Sequence, residues 1–504
     1  MRRTHALRAA LAASALMPLA LPGAAARADT LQEALTAAYN NNPTLAAARA
    51  NQRANDENVP IQRAAGLPSV TASGQYLEFV KQSSNSFSNP ERAINGQLNL
   101  GIPLYQGGAV RNGVRGAVAR VEAGRADLRG TESDIFTETV AAYMDVLRNQ
   151  AVVGLQANQI DVLSVNLQAT SDRFEIGDLT RTDVAQSQAR LAVAQSDFRT
   201  AQANLIASRE TYARLTGMAA DDLQPPPPLP GFPPSVEAAE DIALVQNPDI
   251  IAAKDRARAA GFDVGVAEAG RLPSVSVVTG GTYNNYLGSL PSVGGGTGAA
   301  VVVPQTSTAL QVGVQLNLPL FQGGRPAAHR RQAQAREGAA LETIVATERL
   351  VIAQVRSAWS SWQAATAVIA SAQTGVDAAA LSLEGVRAEN SIGNRTILDT
   401  LNAEQELLNA RVALVTARRN AYVAGFQLLA AMGRAEARDL GLVDEGLLYD
   451  PVANYDRVKG KWFDWDDDPA PTVSTTSTDA VPPATADIPS DAVPQMGETG
   501  NIPR

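Results

Sequence analysis

The 504-residue chain contains no cysteine, which excludes disulfides, thiolate metal sites and an N-terminal lipid-modified cysteine. It has two histidines, His5 and His329. His329 stands alone in the basic stretch AAHRRQ and reads as a solvated surface residue. There is no histidine cluster and no glycine loop of the kind that cradles phosphate. Glycine pairs occur in QGG, but no GK[ST] follows them. The carboxylates are scattered at surface spacing. These absences argue against an enzyme and imply no cofactor and no metal. Aromatic residues make up only 5% of the chain, so a compact aromatic core is not expected. Beyond residue 28 no apolar run reaches the about 18 residues that a membrane-spanning helix needs. Proline is missing from residues 104–224 and again from 327–450, although the chain has 28 prolines. Each of these blocks is therefore free to form very long helices.

The N-terminus reads MRRTHALR, then a short apolar run, then Ala26-Arg27-Ala28. A basic segment, an apolar segment and an A-x-A site predict a signal peptide over residues 1–28. Its removal takes away Arg2, Arg3, Arg8 and Arg27 and no acid. The net charge then moves from −9 to −13, which argues against nucleic acid as a partner. An exported bacterial protein is expected.

The rest of the chain repeats itself. Asn42-Pro43 recurs at Asn247-Pro248 and LPSV at 67–70 recurs at 272–275, both offset by 205. LGIPLYQGG at 100–108 recurs as LNLPLFQGG at 316–324, offset by 216, as is Ile176-Gly177 at Ile392-Gly393. A fixed offset with one insertion marks a duplicated unit. The first repeat is assigned to residues 29–221 and the second to 236–448.

Each repeat predicts two strands, at about 68–78 and 93–104, then at about 273–283 and 308–320. Ile94, Leu98, Leu100, Ile102 and Leu104 share one face, with Asn95, Gln97 and Asn99 opposite. Leu310, Val312, Val314, Leu316, Leu318 and Leu320 likewise oppose Gln311, Gln315 and Asn317. Alternation over about ten residues, apolar against amide-rich, suits a transmembrane β-barrel strand. A half-buried strand of a soluble sheet is the other reading of any one strand.

Helices are predicted over about 43–65, 108–176, 182–217, 248–269, 325–391 and 396–432. Thr30 to Glu33 reads as a capping box opening a short helix before them. Val184, Leu191, Phe198, Leu205 and Tyr212 recur every seven residues. Leu401, Leu408, Val415, Tyr422 and Leu429 do the same beside Leu407, Leu414, Ala421 and Leu428. A seven-residue period implies coiled-coil packing, and paired stripes imply neighbours on two sides. The lengths balance if two shorter helices stack end to end beside each long one. Residues 222–235 form a proline-rich linker. Residues 449–465 carry aromatics that could dock, and 466–504 read as a disordered acidic tail.

Four strands cannot close a barrel, since small barrels need about eight. An open edge in lipid leaves backbone groups unpaired, so the strands must close between chains. Pro103 and Pro319 are expected to end strand pairing. Gly107, Gly108, Gly323 and Gly324 are expected to permit the turn from strand to long helix.

Two copies of helix, hairpin, long helix, turn and coiled-coil helix, with NP, LPSV, PLYQGG, IGDLTRTDV and IGNRTILDTLNAEQ in order, resemble the TolC-like outer-membrane efflux family over residues 29–460. Residues 449–465 are similar to the tail of its type I secretion members. The resemblance implies a mainly α protein with a membrane β-barrel portion: a homotrimer whose 12-stranded β-barrel continues into a 12-helix periplasmic α-barrel. It implies a passive exit duct in the outer-membrane lipid of a Gram-negative bacterium. A periplasmic adaptor and an inner-membrane ABC or proton-driven transporter would be its partners. The family's constriction maps to Asp399, with Asn402 in place of a second aspartate. Convergence of three Asp399 carboxylates would raise their apparent pKa values. The family's gate links map to Arg395 with Thr182 and Asp183, and Asn390 replaces a tyrosine. Ile176, Gly177, Ile392 and Gly393 would be the adaptor-docking tips. A non-enzymatic coiled-coil structural or surface protein of the envelope is the alternative.

Overall fold

The computed structural model describes residues 30–81, 90–220, 222–290, 293–294, 300–301, 303–442 and 448–488. The expected signal peptide lies outside them. The first repeat opens with α1 (Leu31–Asn41), α2 (Pro43–Asp56) and α3 (Asn58–Ala64). Strands β1 (Ser69–Glu78) and β2 (Arg92–Gln106) follow, then α4 (Ala109–Glu175) and α5 (Arg181–Thr216). The second repeat has α6 (Val236–Gln246), α7 (Pro248–Ala269) and β3 (Ser274–Asn285). Two-residue strands β4 (Val293–Gly294) and β5 (Ala300–Val301) pair within the long second loop. Then come β6 (Thr306–Asn317), α8 (Arg325–Ser391), α9 (Ile397–Ala431) and α10 (Pro451–Val458).

Thr30 opens α1 with the expected capping box: its hydroxyl accepts from the Glu33 N–H, and Glu33 accepts from the Thr30 N–H. The single helix expected over 43–65 is broken at Glu57. Pro60 has no N–H to give the carbonyl of Asp56, so the helical ladder is interrupted there.

The four main strands form one antiparallel sheet in the order β1-β2-β3-β6. Val70, Leu100, Thr279 and Val312 stand in one cross-strand row, and Thr71, Asn99, Gly280 and Gln311 in the next. Alternation therefore runs in register across all four strands, giving one apolar and one polar face. Among the described residues nothing covers the apolar face: Leu310 is 81% exposed and Val312 74%. Pro103 does not end pairing as expected. It lies inside β2 opposite Ser276, and an irregularity follows between Pro103 and Tyr105. β1 pairs with β2 only as far as Gly101, so beyond it β2 has an open side, where a residue without an N–H is tolerated. In the second repeat β6 stops at Asn317, short of Pro319.

Below the sheet α4 packs on α2, α3 and α7, and farther away on α5 and α9; α8 packs on α7 and then α9. The Asn-Pro pairs join the stacked helices. The Asn42 side chain accepts from the N–H groups of Thr44 and Leu45, capping α2, and donates to the Leu215 carbonyl in the last turn of α5 at 3.0 Å. Asn247 does the same for α7, and donates to the Ala431 carbonyl of α9 at 3.0 Å. One amide satisfies the orphan groups of two helix ends. The main core lies at these joints, around Phe136, Tyr143, Leu205, Tyr212, Phe426 and Leu428. Both expected stripes of α9 face inward: Leu401, Leu407, Leu408, Leu414, Val415, Leu428 and Leu429 are buried.

The linker is docked. Tyr143 donates to the Gln224 carbonyl at 2.6 Å and Tyr422 to that of Pro227 at 3.1 Å. Phe232 stacks on Trp362 at 4.4 Å between ring centroids. The docking segment and the tail also depart from expectation. Tyr449 and Tyr455 dock, whereas Trp462, Phe463 and Trp465 are exposed. Residues 466–488 of the expected disordered tail are held by specific bonds. Arg457 binds Asp468, Glu210 accepts from the Ala484 N–H, and Arg209 donates to the Thr485 carbonyl. The rest of that tail lies outside the described residues.

Candidate functional site: hairpin tips and strand-to-helix turns

Each long helix is entered through two glycines in the left-handed region. Gly107 and Gly108 have φ of 61° and 87°, and Gly323 and Gly324 of 60° and 82°. Residues with a Cβ are strained there, so the pair gives the bend at no steric cost. The glutamine before each pair fixes the bend. Gln106 Nε2 donates to the Ala65 carbonyl at 3.1 Å, and Gln322 Nε2 to the Gly270 carbonyl at 3.1 Å. Each ties the end of its hairpin to the end of the short helix before it. Sequence reasoning missed this role, although glutamine stands before both glycine pairs.

At the far end, α4 turns into α5 and α8 into α9. Gly177 and Gly393 are left-handed at φ of 83° and 82°, and Ile176 and Ile392 beside them are exposed. The following helices open with matched capping boxes, Thr180 with Asp183 and Thr396 with Asp399. In each, the threonine hydroxyl and N–H donate to the carboxylate, and the aspartate N–H donates back.

These caps occupy the residues expected to form the gate. The hydroxyl of Thr180 and then its N–H hold the Asp183 carboxyl below the usual carboxylate range. Thr396 does the same for Asp399. The shift at Asp399 within one chain is thus downward, opposite to the rise expected from converging carboxylates. Arg395 does not pair with Asp183. Its Nε donates to Glu389 at 2.7 Å within its own hairpin, a bond that raises its pKa. Asn390 donates to the Arg395 carbonyl at 2.8 Å, and Thr182 is exposed on the first turn of α5.

The links between the two hairpins are different ones. Arg190 Nη2 on α5 donates to Asn402 Oδ1 on α9 at 2.7 Å. Glu404 on α9 is buried. Asn166 Nδ2 on α4 reaches both its oxygens at 2.9 Å, and Arg387 Nη2 on α8 reaches Oε1 at 3.0 Å. Farther up, Arg419 grips Asp145 with two bonds of 3.0 Å. Glu404 was missed by sequence reasoning. Its signal was a carboxylate one turn after Asp399-Thr400-Leu401, on the side of the buried leucines.

The sequence matches the model of the family described as Outer membrane efflux protein over residues 34–218 and 241–434. The chain belongs to this outer-membrane efflux protein family. It is 33% identical to the outer membrane efflux protein BepC of Brucella suis biovar 1 over 452 residues, which are 90% of this chain and 95% of that protein. It is 26% identical to the outer membrane protein TolC of Escherichia coli over 491 residues, covering 92% and 96%. It is 28% identical to the alkaline protease secretion protein AprF of Pseudomonas aeruginosa over 420 residues, covering 81% and 85%. Among solved structures, CusC superposes with a TM-score of 0.69 at 18% identity, covering 80% of this chain and 92% of that one. VceC of Vibrio cholerae gives 0.67 at 24%, covering 80% and 96%. The fold is that of the channel-tunnels, a β-barrel continued by an α-barrel. The protein is an outer-membrane exit duct for efflux or type I secretion, with its helices in the periplasm. The coiled-coil structural reading is set aside.

Proposed function

We propose that three copies close into one passive conduit, non-enzymatic and gated at its hairpin tips. The observation that carries this is the open sheet. β1 and β6 are its edge strands, and among the described residues each has one unpaired side. Unpaired backbone groups in lipid cost several kcal/mol each, so β6 of one copy pairs with β1 of the next. Three copies supply twelve strands. The helices support the same closure: α8 buries only Ala333, Val351, Val355, Ala379 and Leu383, although it packs on α6, α7 and α9. Leu341, Leu350, Val368 and Leu381 are exposed on α8 and await a neighbouring copy.

Cargo reaches the tips from an inner-membrane ABC or proton-driven transporter through a periplasmic adaptor. Ile176 and Ile392, each beside its left-handed glycine, are the apolar points such an adaptor would grip. Asp399 and Asn402 stand near the tip, at the proposed constriction. The test is the mass and conductance of the detergent-purified protein. A trimer that conducts ions in planar bilayers is expected. A monodisperse monomer without conductance would refute the reading.

A further inference from the structure

The geometry points to a membrane-interface anchor in the C-terminal segment: Trp462, Phe463 and Trp465 seat in the headgroup region of the periplasmic leaflet. The inference rests on the outer-membrane placement of the barrel.

After Tyr449 the chain runs towards the sheet. The Tyr449 N–H donates to Tyr39 in the core, and its ring lies 5.2 Å from the Arg49 guanidinium. Six residues on, Tyr455 packs with Val59, Ala117 and Val121. Ala117 lies eight residues into α4, about 12 Å below the strand-to-helix turn. The Lys459 carbonyl then accepts from Arg63 at 3.0 Å, at the end of α3 and six residues before β1. The chain now reverses. Asp468 returns to Arg457 at 2.7 Å, and Thr476 lies beside Gly217 at the end of α5. Residues 459–468 are thus the apex of an excursion whose top stands level with the base of the barrel.

That apex is apolar where solvent would favour polar groups. Trp462 is 77% exposed, Phe463 63% and Trp465 82%. Large aromatics clustered at a surface mark an interaction site. At the same level the barrel ends in exposed Tyr105 and Phe321, the residues before Gln106 and Gln322. Tyrosine and tryptophan collect at membrane–water boundaries because one ring carries an apolar body and a polar edge. The apex therefore extends the barrel's own aromatic rim. Two of the apex's four acids are paired from below: Lys461 binds Asp466 and Asp468, and Arg457 binds Asp468, while Asp464 and Asp467 are exposed to solvent.

The test uses the full protein in phosphatidylethanolamine–phosphatidylglycerol vesicles containing dibrominated phospholipid, which quenches tryptophan on contact. The chain has four tryptophans. Trp359 and Trp362 lie 34 and 37 residues into α8, about 50–55 Å from the barrel and out of the quencher's reach. Wild-type emission should fall by up to half, and a W462F/W465F variant should lose the quenching while keeping its conductance. Conductance of the same vesicles reports barrel insertion separately. Quenching that persists in the variant overturns the proposal. So does unquenched wild type, whether its emission is blue-shifted by contact with a second copy or red-shifted by water.

Discussion

Arg190 on α5 donates to Asn402 on α9 at 2.7 Å, near the tips and between the two hairpins. The sequence resemblance assigned such a link to Arg395, but Arg395 is held by Glu389 on its own hairpin. A bond inside one hairpin does not resist separation of the two. The Arg190–Asn402 bond does, and it is exposed enough for water to replace it. Such a bond contributes about 1 kcal/mol, or roughly fivefold in the closed-to-open ratio per copy. Arg190→Ala should therefore raise conductance in planar bilayers more than Arg395→Ser. Unchanged conductance in an assembled R190A trimer removes this bond from the gate.

Glu404 joins three helices, and its two partners are not equivalent. Its carboxylate is buried, whereas the Arg387 side chain is half exposed. Removing Glu404 lets Arg387 turn to water. Removing Arg387 leaves a buried carboxylate held by the Asn166 amide. Breaking a fully buried pair costs about 3–5 kcal/mol, and the exposure of Arg387 reduces this to roughly 2 kcal/mol. Arg387→Met should therefore destabilise the periplasmic helices more than Glu404→Gln. Urea titration followed at the helical circular-dichroism band measures both; the reverse order would contradict this account.

Periodicity exposed the strands, the long helices and the double stripe of α9, because each element keeps one face towards one kind of neighbour over many residues. The glycine turns were legible because QGG recurs. The break at Glu57 was not, since Pro60 acts on a carbonyl four residues earlier. The bonds that the expected gate residues make within one chain were not legible for a related reason. Thr180-Asp183 and Thr396-Asp399 have the T-x-x-D spacing of local caps, and local bonds satisfied these side chains before any bond between hairpins could. The bonds between the two hairpins of one chain, Arg190–Asn402 and Asn166–Glu404, join residues more than 200 positions apart. No local pattern marks such pairs.

The two glycine turns are alike in φ but not in surroundings. A Cβ on Gly107 would lie 2.8 Å from the Ala269 carbonyl oxygen and 2.9 Å from Leu272 Cβ. A Cβ on Gly323 would meet nothing within 4 Å among the described residues of its own chain. Left-handed backbone costs a residue with a Cβ roughly 1–2 kcal/mol at either site. Only Gly107 adds a collision with backbone, where α7 leads into β3. Gly107→Ala should lower the yield of detergent-stable trimer well below that of Gly323→Ala. Equal yields would show that a neighbouring copy crowds Gly323 as closely as Leu272 crowds Gly107.

The tips should respond to acid late. Asp183 and Asp399 are held below the ordinary aspartate value because their charged forms accept from threonine hydroxyl and N–H groups. A folded-state pKa below the unfolded one means stability present above the unfolded value and lost as pH falls through the folded one. In the proposed trimer, mutual repulsion of three Asp399 carboxylates would act the other way. In water two charges interact by about 1 kcal/mol at 4 Å, less at the width of a channel, and salt screens the remainder. The cap bonds are short, at 2.8 and 3.0 Å, and form within each chain, so they are expected to dominate. Cation selectivity, read as reversal potential in planar bilayers, should be flat from about pH 7 to 5 and fall only below the ordinary aspartate pKa of about 3.9. Thr396→Val removes the hydroxyl and should move that fall to higher pH, whereas Asp399→Asn should abolish it. A wild-type midpoint above about pH 5 would mean that repulsion across the trimer axis outweighs the cap.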